Sequence, residues 1–237
     1  MQTFGSMERR TESQKGTVTG LGRVVRLALG IAVAAATAES ALAADGDTIR
    51  FQLFPNKSVV HCLAASDAVT PTVDVVVRRG RLNDKMKLYL KNFKPGLNFD
   101  LFTVQRSPQL ADGAADPEFV AGRFGLAWYQ SDIHVNEDDD SEGEPSKVEI
   151  KTILLDQIFG FDSDVALPPT NTFHVGFWFN DPNDAADCGF NVNKPTPFNG
   201  EHRAGPLAFI SRPDAITDLG PLCAHPDLST DPSSCNP

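Results

Sequence analysis

After residue 44, hydrophobic and polar residues alternate along much of this chain, and a period of two predicts β-strands. In residues 48–54 (TIRFQLF), Ile49, Phe51 and Leu53 fall on one face before Pro55-Asn56 breaks the run. Residues 73–79 (VDVVVRR) are rich in β-branched side chains and stop at Gly80. In residues 86–93 (MKLYLKNF), Met86, Leu88 and Leu90 share a face, with Lys87, Tyr89 and Lys91 opposite. Residues 97–104 continue with Leu97, Phe99 and Leu101 in alternation. The Pro95-Gly96 pair between these two runs predicts a hairpin or another tight connection.

Further along, residues 119–135 read as one long or bent strand, with Gly122 and Gly125 marking a bulge and Phe124, Leu126 and Trp128 on one face. Residues 147–155 are again strand-like, and 156–161 suggest a short helical turn. In residues 172–179 (TFHVGFWF), Phe173, Val175, Phe177 and Phe179 point one way and His174, Gly176 and Trp178 the other. Residues 206–211 form a last short strand, and from Arg212 the chain is Pro- and Ser-rich coil. About eight short strands separated by turn signals predict an all-β fold. The expected architecture is an antiparallel β-sandwich, immunoglobulin-like or jelly-roll-like, with long loops. The expected division is a leader over 1–43, the sandwich over 44–212, and a disulfide-tethered tail over 213–237.

The strand–Asn-Phe-Lys-Pro-Gly–strand unit resembles hairpins of fibronectin type III and copper/zinc superoxide dismutase domains, and the resemblance implies a sandwich. In the dismutase, histidine ligands follow the Pro-Gly closely. Here Asn98, Leu101 and Thr103 stand at the comparable positions, so the resemblance implies no copper site.

The first 43 residues change the picture of where the protein works. Arg23 and Arg26 precede an apolar run over 27–38, and Ala41-Leu42-Ala43 forms a small-x-small pattern before Ala44. This is the layout of a secretory signal peptide. The apolar run is shorter than the about 20 residues that span a bilayer, so no transmembrane anchor is expected in the mature chain. A secreted or periplasmic protein follows. Export in turn makes the four cysteines, Cys62, Cys188, Cys223 and Cys235, disulfide candidates. Cys62–Cys188 with Cys223–Cys235 is the preferred pairing, and Cys188–Cys223 is its rival. No CxxC pair favours zinc.

The 237 residues carry 21 basic and 31 acidic side chains, a net charge of −10. Without the leader, 16 basic residues face 28 acidic ones, giving −12. That balance speaks against nucleic acid, whose affinity comes mainly from neutralised phosphates. It is compatible with bound cations.

Three constellations could carry chemistry. Asp138, Asp140, Glu142, Gly143 and Glu149 fit D-x-D-x-E-G-x5-E, close to an EF-hand loop, so Asp138, Asp140, Glu142 and Glu149 are candidate metal ligands for a structural Ca2+. Against this, the fifth loop position is Glu, Pro145 sits inside the loop where an apolar residue normally joins it to its partner, and both flanks read as strands rather than helices. The plainer interpretation is a solvated acidic hairpin tip. In DPNDAADCG, Asp181 and Asn183, with Asp184 and Asp187, could bind a ligand or cation, or could simply satisfy their own backbone as Asx turns. Third, His174, Trp178 and His202 lie near a polar loop, where an aromatic can act as a sugar-stacking platform. Each is equally at home as a packing residue. His134, His174 and His202 could also converge on a metal.

No G-x-S-x-G, H-E-x-x-H or phosphate-cradling glycine loop occurs. The expected function is an exported non-catalytic surface, carbohydrate- or ligand-binding, or interaction module, with an extracellular glycan or protein as partner. The alternatives are a secreted hydrolase of an extracellular polymer, using paired carboxylates, and a purely structural envelope protein.

Overall fold

The computed structural model describes residues 48–80, 83–136, 146–152, 160–196 and 204–223, all within one compact unit, Leu42–Pro237. Its strands are β1 (Thr48–Pro55), β2 (Thr72–Arg78), β3 (Asp84–Lys91), β4 (Asn98–Val104) and β5 (Ala127–His134). They continue with β6 (Ser146–Thr152), β7 (Thr172–Phe179), β8 (Leu207–Ser211) and β9 (Leu222–Cys223). One short helix, α1 (Val60–Leu63), follows β1, and a 3₁₀ helix (Pro182–Cys188) follows β7. All pairings are antiparallel, in the order β5-β4-β7-β8-β1-β2-β3-β6, with β9 added to the start of β7. The two ends of this sheet, β5 and β6, approach one another, so the sheet is nearly closed.

The period-two runs become strands because alternate side chains leave water. Val73, Val75 and Val77 of β2 and Met86, Leu88 and Leu90 of β3 are buried, while their neighbours are exposed or half-exposed. They share one core with Phe99 and Leu101 of β4, Ile133 of β5 and Phe173, Val175, Phe177 and Phe179 of β7. At its centre Phe177 stacks on Phe209 with ring centroids 5.4 Å apart and meets Phe99 at 4.9 Å.

Strand β7 is buried along its whole length, on both faces. Its phenylalanines enter the main core, and Trp178 enters a second cluster with Phe102, Val104, Phe124, Leu207 and Ile210. Gly176 lies between them, where a Cβ would come within 3.0 Å of the Phe209 carbonyl oxygen.

Several expectations change. Strand β5 begins at Ala127, not near residue 119. The segment before it is a loop: Gly122 and Gly125 take φ of 79° and 77°, the left-handed region that glycine enters without steric cost. Pro95-Gly96 does not form a hairpin. β3 pairs with β2 and β6, and β4 with β5 and β7, so the connection links two strands that are not neighbours. Both edges of each strand are already occupied, which leaves no room for a β3–β4 ladder. The coil expected after residue 212 contains β9, whose Cys223 pairs with Thr172. The turn expected over 156–161 falls mostly outside the described residues.

Cys62 of α1 is bonded to Cys188 at the end of the 3₁₀ helix, as the preferred pairing had it. Cys223 is also in a disulfide, and Cys235 lies outside the described residues. Arg79 and Asp84 form a buried ion pair at 3.0 Å beside this region, and the Arg79 guanidinium also donates to the Cys223 carbonyl oxygen. Among the described residues, no helix is long and apolar enough to cross a membrane.

Candidate functional site

The outer face of β7 and β8 is roofed by two loops, and between them lies a groove of about 650 Å³. One wall is the segment between β4 and β5. Gln105 fixes its root: its Oε1 accepts from the Leu126 amide at 2.7 Å and its Nε2 donates to the Gly160 carbonyl at 3.1 Å. Arg106 ties the middle of the segment by an ion pair to Asp116 at 3.1 Å and lies 5.3 Å over the Phe119 ring. Phe119 packs against Phe124 at 4.9 Å, and Phe124 meets Trp178 edge-on at 5.0 Å.

The opposite wall is the turn after the 3₁₀ helix, with Phe190, Lys194, Pro195 and Thr196. Thr196 pairs with Ala204, and its hydroxyl donates to the Gly205 carbonyl at 2.7 Å. The end of β1 closes a third side. There Asn56 Nδ2 donates to the Leu207 carbonyl at 3.0 Å and Lys57 Nζ reaches the Gly113 carbonyl at 3.4 Å.

The resulting surface is mostly apolar, with Phe119, Phe124 and Phe190 facing a few polar groups. Most of those polar groups already bond to the protein. Lys57 and Lys194 are the charged groups among the described lining residues. Cavities of roughly 300–1,000 Å³ with apolar walls and few polar points suit drug-sized organic ligands.

The candidates from sequence are dispersed. Trp178 belongs to the groove but is buried beneath its floor, edge-on to Phe102 and Phe124, so it supports the site rather than offering a stacking face. His174 is four residues before it on β7 and lines a different, more polar cleft with Arg106, Asp116, Glu118 and Asp218. It is buried against Ser211, at 3.1 Å from Nδ1 to Oγ, and burial pushes its pKa down to about 4. Its imidazole is therefore neutral through the physiological range, and as a proton acceptor it is weak.

Asp181 caps the 3₁₀ helix, and one of its oxygens accepts from both the Asn183 amide at 2.8 Å and Asn183 Nδ2 at 2.7 Å. Both residues thus form an Asx turn of the kind their spacing allowed. Glu149 sits on β6, with one carboxylate oxygen on Lys85 and the other on Lys87 at 2.7 Å. These two ammonium groups hold its pKa down to about 2, and a cation at Glu149 would have to displace them. Asp138, Asp140, Glu142 and His202 lie outside the described residues. His134 bonds to Asn98 at one end of β4, whereas His174 lies opposite Val104 at the other, a strand length of roughly 20 Å away. These two do not converge. Among the described residues, His61, Cys62 and Cys188 form one group at metal-ligand spacing, but the two sulfurs are bonded to each other.

Phe119, Phe190, Lys57 and Lys194 were not among the candidates. For Phe190 a signal was present, since a bulky aromatic between Gly189 and Asn191 has no strand to pack in, whereas Phe119 falls in the strand expected over 119–135.

Neither a protein-family model, nor a curated protein, nor a solved structure matches this chain.

Proposed function

We propose that this chain is an exported, non-catalytic ligand-binding module, a β-sandwich that holds a glycan or another small amphipathic molecule in the groove between Phe119 and Phe190. The observation that carries this reading is the groove itself, a cavity of about 650 Å³ with aromatic walls on a rigid, doubly buried strand. The layout of the sheet supports the sandwich. The runs β5-β4-β7-β8 and β1-β2-β3-β6 enclose one core and are joined through three residue pairs between β1 and β8 on one side, with β5 and β6 approaching without a described ladder on the other. The leader-like first 43 residues and the bonded cysteines support export. A structural calcium ion remains part of the proposal through the acids of 136–145.

A glycan and small-amphiphile binding screen tests the reading, run with calcium and with EDTA. Binding is expected for at least one class, weakened tenfold or more by Phe119→Ser or Phe190→Ser with melting temperature retained. Binding that ignores both substitutions refutes the groove. The hydrolase alternative rests on the His174 cleft, whose Asp116 is tied to Arg106. Polymer cleavage lost in Glu118→Gln would favour it.

A further inference from the structure

The solvent face of β1, β2, β3 and β6 has a charge opposite to that of the whole chain. Arg50, Arg78, Lys85, Lys87, Lys91 and Lys151 alternate with the buried residues of their strands and share this face. Among the described side chains, two carboxylates, Asp74 and Glu149, stand against these six cations, a local balance of +4 on a chain of net charge −10. Arg50, Arg78, Lys91 and Lys151 are exposed, and the Lys85 and Lys87 side chains are 40% and 37% exposed.

The register sharpens the point. Arg78 lies directly opposite Lys85, and Lys85 directly opposite Lys151, which sets three cations in one row across β2, β3 and β6. Like charges directly opposite one another destabilise a sheet. Glu149 relieves Lys85 and Lys87 from the neighbouring row, but both of its oxygens are then used. A sheet does not need such a row to fold, and a polyanion laid across it would relieve the repulsion.

We propose that this face binds a linear anionic polysaccharide, carboxylated or sulfated. The charges stand about 4.8 Å apart between strands and nearly 7 Å apart along them, a two-dimensional array suited to a polymer with an anionic group on every sugar or two. Single-stranded nucleic acid would call for a series of aromatic platforms, and among the described residues this face offers the half-buried Tyr89 and, at the end of β1, Phe54, whose ring the Arg212 guanidinium covers at 3.7 Å. An anionic membrane surface would call for apolar side chains able to enter it, and among the described residues Val76 is the one aliphatic on the face. The net negative charge of the rest of the chain is screened within about 8 Å at physiological salt, so the local array decides. The inference is independent of the groove, which lies on β7 and β8.

The test is retention of the full chain on immobilised heparin and polygalacturonate, with dextran, single-stranded DNA and phosphatidylglycerol vesicles as further arms. Both anionic polysaccharides should retain the protein at low salt and dextran should not. In the variant R50T/R78T/K151T, the slope of log affinity against log salt should be shallower by about two. Glu149→Gln should tighten binding. Arg78→Thr should raise the melting temperature, because it removes a repulsion, whereas a purely structural arginine would lower it. Equal retention of the triple variant, no retention at low salt, or tighter binding of DNA or vesicles than of both polysaccharides would overturn the proposal.

Discussion

Removing the Cys62–Cys188 bridge should show how much of the stability resides in a chain constraint rather than in packing. The bond joins residues 126 apart in sequence and fastens a four-residue helix to a seven-residue 3₁₀ helix. Closing a loop of that length removes about 16 cal/mol/K from the unfolded chain, or about 5 kcal/mol at 25 °C. Domains are typically stable by only about 5–15 kcal/mol, so the loss is large. The variant C62A/C188A, unfolded in urea under oxidising conditions that keep the Cys223 bond, should unfold at a midpoint lower by about 2.5 M, taking m as about 2 kcal/mol/M. The m-value should also rise, because the unlinked denatured chain exposes more surface. A midpoint shift below about 0.5 M with unchanged m would refute the reasoning: the bridge would then stabilise neither state through the loop.

Three further outcomes are expected. His174 has a folded pKa of about 4 against an ordinary 6.5, so the unfolded state binds the proton more readily. The stability it contributes is full above pH 6.5 and is lost as pH falls towards 4, by about 3 kcal/mol in all. Urea melts of the wild type and His174→Gln at pH 7 and pH 4.5 should show a shallower pH dependence in the variant, and equal slopes would contradict the burial argument. Asp84→Asn should cost about 3–5 kcal/mol by stranding the buried Arg79, while R79M/D84L should cost clearly less, and chemical denaturation of both variants checks the ordering. Gly220→Ala should destabilise by at least about 1 kcal/mol, because its Cβ would lie 2.5 Å from the Phe173 carbonyl oxygen and force β9 off β7. Calorimetry showing an unchanged melting temperature would mean that the segment shifts freely.

Much of the fold was legible along the chain because burial in a half-covered strand leaves a local trace, one side chain in two. The runs ending at Phe54, Arg79 and Val104, and above all TFHVGFWF, appear in the structure within a residue or two of their expected bounds. So did the two-faced character of β7 and the Asx turn at Asp181 and Asn183, whose hydrogen bonds span two residues. The 119–126 segment misled because Phe124 is buried by a loop folded over Trp178, and a loop leaves no period.

The remainder was decided by distance in sequence. Nothing local says that β3 pairs with β2 and β6 rather than with β4, since Pro95-Gly96 fits a hairpin and a crossing equally well. The groove needs Phe119, Phe190 and Lys57 from three remote segments. The basic face needs Arg78, Lys85 and Lys151 aligned across three strands, and a composition of −10 conceals it. Alternation sets which side chains leave water, but only the pairing of strands sets which of the exposed ones become neighbours, and the charge a partner meets depends on those neighbours.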